Sequence, residues 1–169
     1  AGEYDPDRML QARRSIDSGR QIGARIFSSG PYWGTGRCED ANSSKDTCPA
    51  WPADITPEQI RAEVDYWAER GMKSLKLKQA TPEQMRILIE HAHRRGLTTT
   101  SHLQMEDFRL EVHPRDAILM GLDRIEHSIA AVEEIMLDEI QVGDQALIDL
   151  FDLIIEHNVY IDPTMRQYC

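Results

Sequence analysis

Lys76, His102 and His127 are the side chains whose types and spacing point to chemistry. They stand 26 and 25 residues apart, and each lies near the end of a segment that reads as a β-strand. In parallel α/β folds, reactive groups gather at the carboxyl ends of the strands. Residues on successive strand ends can therefore converge on one point. Imidazole suits zinc and similar divalent ions. The lysine is the odd member, because an ammonium does not bind a cation. After reaction with carbon dioxide its amine becomes a carbamate, a carboxylate-like group able to bridge two metals. Plainer readings exist: a strand-end histidine is often only a hydrogen-bonded core residue, and a lysine can snorkel to solvent. The joint register of the three residues favours the metal reading.

The elements that must position them repeat along the chain. Thr56-Pro57-Glu58 reads as an N-cap with proline in the first turn, and that helix stops at Gly71. Thr81-Pro82-Glu83 opens a second helix by the same device, closing at Gly96. Pro114 to Met120 and Asp144 to Asn158 read as two more helices, and a loosely helical segment runs from Asp7 to Ser18. Parallel strands are expected at residues 24–28, 73–78, 98–103, 123–127 and 158–162. Between the first two lies a long loop, Pro31 to Pro52, of a length that is usually functional or mobile. Its Tyr32, Trp33 and Trp51 either line a substrate pocket or cap the barrel. Strands alternating with helices at such intervals imply right-handed βαβ units on a parallel sheet. Five strands fall short of a closed eight-stranded barrel, which takes about 250 residues. The chain therefore reads as an open parallel sheet or an incomplete barrel.

Three segments carry a resemblance: Gly71-Met72-Lys73-Ser74-Leu75-Lys76-Leu77, then Ala92-His93-Arg94-Arg95-Gly96 with Ser101-His102, then Gly121-Leu122-Asp123-Arg124-Ile125-Glu126-His127-Ser128. In that order they resemble the middle of the amidohydrolase superfamily, in its imidazolonepropionase-like and Xaa-Pro-dipeptidase-like branch. The resemblance covers nearly the whole chain. It implies a partial (β/α)8 TIM barrel, about strands 3 to 7, in one domain over residues 1–169. It implies hydrolysis of a C–N bond in an amide, cyclic amide or dipeptide by a metal-activated water. It makes Lys76 the carboxylated bridging ligand, in preference to Lys78, with His102 and His127 the ligands after the next two strands. The cofactor would be a divalent metal, zinc by type, one or two ions in a complete site.

The sequence also departs from that pattern. The paired His-x-His of the first barrel strand is absent, since His91-Ala92-His93 lies on a helix, where residues two apart face different sides. The aspartate of the eighth strand is not reached, and Asp162 at the end of a seventh strand does not inherit its catalytic role. No catalytic residue is therefore assigned, and the isolated chain is expected to bind metal poorly and to be inactive. Glu126 is expected to face the outer helices, and His91, His93, His113 and His157 to lie on solvated helices or loops.

Composition sets the remaining bounds. A net charge of −10 argues against nucleic acid, whose phosphates need clustered Lys and Arg. No apolar run approaches the roughly 20 residues of a membrane span, and no signal peptide is visible. The missing initiator Met suggests a start inside a longer gene product. Cys38 and Cys48 flank a polar loop and are either a disulfide of a periplasmic or secreted protein or two cytoplasmic thiols. Cys169 has no obvious partner. The partners expected are a small-molecule substrate and, because an open parallel edge is sticky, a second copy or a complementing chain. The competing function is a non-catalytic partial barrel that folds by such assembly.

Overall fold

A computed structural model describes residues 5–34, 51–52, 54–77, 80–103, 112–126 and 143–163. Helices alternate with strands in the order α1 (Pro6–Asp17), β1 (Tyr32–Trp33), α2 (Pro57–Glu69), β2 (Ser74–Leu77), α3 (Pro82–Arg94), β3 (Thr98–Ser101), α4 (Pro114–Leu119), β4 (Arg124–Glu126), α5 (Gln145–Glu156) and β5 (Tyr160–Asp162). The strands form one sheet in chain order, β1 to β5, with every pairing parallel. This is the arrangement of successive βα units in a partial (β/α)8 barrel.

Local chemistry explains why the helices begin and end where they do. Thr56 and Thr81 each accept a hydrogen bond from the backbone of the third helical residue, and the Oε1 of Gln59 and Gln84 in turn accepts from the backbone N–H of the cap. These reciprocal bonds satisfy donors that the first turn would leave unpaired. At the other end one turn closes α1 at Gly19 and Arg20 and recurs before each of β2 to β5. Gly71 N–H donates to Ala68 O at 2.9 Å and Met72 N–H to Trp67 O at 3.2 Å. The same pair of bonds joins Gly96 and Leu97 to α3, Gly121 and Leu122 to α4, and Asn158 and Val159 to α5. The residue at the turn takes a left-handed φ each time, +73°, +90°, +68° and +97° for the glycines and +54° for Asn158. Each turn is a Schellman stop, and before the strands its next residue, Met72, Leu97, Leu122 or Val159, is a buried apolar side chain leading into a strand.

One strand differs from expectation. Residues 24–28 form no strand, and β1 is Tyr32–Trp33, inside the segment read as a loop. The apolar run at Ile26 and Phe27 had suggested the earlier position, but Phe27 is 71% exposed. Burial begins at Ser28, and the chain becomes a neighbour of β2 there, where Lys73 N–H donates to Ser28 O at 3.1 Å. Two of the three aromatics of the segment read as a loop pack into the core cluster. Trp33 and Trp51 are buried and meet edge to face at 6.2 Å. Trp51 Nε1 and Trp67 Nε1 both donate to Glu63 of α2, at 2.6 and 3.4 Å.

Leu75, Leu77 and Ile125 project from the sheet into the main core, joined by Ile60, Val64, Leu88, Ile89, Ala92, Ala117 and Ile118 of the helices. Alternation along a strand then sends Lys76, Thr100 and Glu126 to the opposite face.

Candidate active site at the strand ends

The register shows how that second face is built. Lys76 pairs with Thr100, and Thr100 pairs with Arg124. Glu126, two residues beyond Arg124, therefore shares the face of Lys76 and Thr100. Glu126 was expected to turn toward the outer helices, and the structure corrects this. Its Oε2 is ion-paired with Lys76 Nζ, and its Oε1 accepts from Thr100 Oγ1 at 2.9 Å. His102, just past the end of β3, brings its Nε2 to 3.7 Å from the same Oε2. Side-chain exposures are 1% for Lys76, 11% for Glu126 and 16% for His102.

Thus a cation, a carboxylate, an imidazole and a hydroxyl from three adjacent strands meet at the carboxyl end of the sheet. Burial pushes the Glu126 carboxyl up, but the hydrogen bond and charge of Lys76, with the Thr100 hydrogen bond, outweigh it. The net effect holds Glu126 below its ordinary value. Ser101, between Thr100 and His102, points its hydroxyl the other way: it donates to Leu77 O and lies 2.7 Å from His102 O.

Of the sequence-predicted ligands, Lys76 and His102 are brought to one carboxylate oxygen. His127 lies outside the described residues, as do Lys78, Cys38, Cys48 and Cys169. Asp162 ends β5 in register with Glu126 and is exposed. His113 caps α4, its Nδ1 accepting from Arg115 N–H at 3.2 Å, and His157 caps the end of α5. His93 is exposed on α3, as expected, whereas His91 on the same helix is not. His91 is largely buried and contacts Asp65 of α2 at 2.8 Å, while His93 contacts Asp123 at 2.9 Å.

A catalytic zinc-type ion takes three protein ligands and keeps a fourth position for water. One imidazole and one carboxylate suit such an ion in kind. Among the described residues, no group of three His, Cys, Asp or Glu side chains is placed to hold one. No described helix is long and apolar enough to cross a membrane.

No protein-family model matches the sequence, and no curated protein matches it. Solved structures do match. A Xaa-Pro dipeptidase with methionine in its active site superposes with a TM-score of 0.66 and 21% identity, over 98% of this chain and 41% of that one. An uncharacterized protein gives 0.61 and 19%, over 95% and 40%. An ochratoxinase from A. niger gives 0.63 and 18%, over 92% and 39%. The chain spans about two fifths of the length of each and shares their fold, here a partial (β/α)8 barrel.

Proposed function

We propose that this chain is the central part of a metal-dependent hydrolase that cleaves C–N bonds of the amide, cyclic amide or dipeptide kind. The observation that carries the reading is the meeting of Lys76 and His102 on one buried carboxylate at the carboxyl end of the sheet. In this architecture reactive groups come from the ends of several strands at that face. The Xaa-Pro dipeptidase and the ochratoxinase with the same fold support the bond type.

In this reading His102, His127 and Lys76, the last as a carbamate, would hold a divalent cation of zinc type, which when bound would supply Lewis-acid activation of a water for amide-type hydrolysis. Before carboxylation the chain's own residues hold the lysine: Thr100 fixes Glu126 through one oxygen, and Glu126 pairs with the Lys76 ammonium through the other, a pairing that carbamate formation would replace. The decisive experiment is expression of the longer reading frame. Hydrolysis of Xaa-Pro dipeptides or N-acyl amino acids, abolished by chelator and by H102A, is the expected result. A well-folded longer product that holds no metal and hydrolyses none of these would refute the reading.

A second reading, a non-catalytic partial barrel completed by another chain, draws on the far edge of the sheet. All three residues of β5 are exposed, and Ile148, Phe151 and Ile155 of α5 form an exposed apolar stripe at helical spacing. Sedimentation of the purified chain separates the two: a stable dimer without bound metal favours this second reading.

A further inference from the structure

A catalytic metal centre needs three protein ligands, and the described lining at the carboxyl end of the sheet does not supply them. What it holds is a cation of its own. We propose that this lining is a site for a primary alkylammonium group, filled in the intact chain by Lys76 itself, and that in this state it takes no divalent ion. The metal centre of the function proposed above needs Lys76 as a carbamate, so the two assignments concern different states of one lysine and fail separately.

Three observations carry the ammonium site. The first is burial. Lys76 keeps only 1% of its side chain exposed, and an ammonium is retained at such depth only beside an opposite charge. Its partner is Glu126 Oε2, contributed from two strands along the sheet. The second is the way the carboxylate is divided. Thr100 Oγ1 donates to Oε1 at 2.9 Å, which turns Oε2 to the lysine. His102 Nε2 stands 3.7 Å from Oε2, beyond hydrogen-bond distance, and leaves that oxygen to the ammonium. The third is charge. A divalent ion on Oε2 would stand beside a buried ammonium, and like charges that close repel strongly where water is excluded. An ammonium also has no lone pair with which to take up carbon dioxide.

Two experiments on the full chain test this. In the first, the unaltered chain is exposed to millimolar Co2+ and to 13C-labelled bicarbonate. No cobalt absorption that depends on His102 and no lysine carbamate resonance in the 13C NMR spectrum are expected. A carbamate resonance lost in K76M, or a cobalt band lost in H102A, would overturn the ammonium site.

The second is chemical rescue. K76A removes an outer side chain that propylammonium replaces atom for atom. Melting of K76A, or its refolding yield where the variant does not fold alone, is followed with propylammonium, with propanol and with propionate plus Zn2+. Propylammonium should raise the melting temperature saturably, by roughly 2–4 °C, and propanol should not. The rise should vanish in K76A/E126A, which lacks the acceptor. Propylammonium no better than propanol, a rise that persists in K76A/E126A, or rescue by propionate plus Zn2+ instead would overturn the site. The metal centre is decided by a different measurement, the metal content and hydrolysis of the longer reading frame.

Discussion

The two ends of the sheet use polar groups in opposite ways. At the amino ends of the strands, Asp123 Oδ2 accepts from Thr99 N–H at 2.7 Å and Thr99 Oγ1 at 2.9 Å, and contacts His93 Nε2 at 2.9 Å. These bonds tie β3, the approach to β4 and helix α3 together in a partly exposed setting. At the carboxyl ends, Lys76 and Glu126 place opposite charges where burial penalises both. A packed apolar pair would hold the strands at least as well. One end is therefore explained by the fold, and the other calls for a function, as expected for the two faces of a (β/α)8 barrel.

The largest effect that tests this contrast is the loss of one charge at the carboxyl end. K76M leaves Glu126 buried without its partner and should cost about 3–5 kcal/mol. The double variant K76M/E126L should recover most of that stability in urea unfolding while leaving the site without its charges. A double variant as unstable as K76M would mean that the pair is there for the fold, and the contrast would fail.

D123A comes next. Removing a carboxylate that serves three donors should cost about 1–3 kcal/mol, and the same in the K76M/E126L background. Any difference would show that the two ends are not independent.

Smaller still is G96A. An added Cβ meets nothing within 4 Å, so only the left-handed φ of +68° opposes it. About 1 kcal/mol is expected in thermal unfolding.

The smallest effect at ordinary pH belongs to Glu126. Its folded pKa lies below the ordinary value of 4.5. Its contribution to stability is therefore fully present above 4.5 and is lost as the pH falls through the lower folded value. The unaltered chain should lose melting temperature in that acid window more steeply than K76M/E126L.

The helices were legible because their signals are local. Thr56 and Thr81 meet their capping partners three residues on, and Gly71, Gly96 and Gly121 close their turns within six residues. Two strand-end candidates, Lys76 and His102, were legible for a related reason: the repeat length sets which residues reach a strand's carboxyl end. β1 was not legible. An apolar run signals a strand only when it is buried, and Ile26 and Phe27 are followed, not accompanied, by burial.

By itself, then, the sequence determined the alternation of helices with strands, the parallel sense of the sheet and the residue types available at its carboxyl end. Capping, left-handed turns and two-residue alternation are interactions among near neighbours in the chain, and they act before any long-range contact forms. Only the tertiary structure decided that Tyr32–Trp33 is the strand beside β2, that Trp33 and Trp51 belong to the core, and that Glu126 turns toward Lys76. The Lys76–Glu126 contact joins residues 50 apart in the chain. Its existence depends on the register of β2, β3 and β4 together, in which a slip of one residue would carry Glu126 to the opposite face of the sheet.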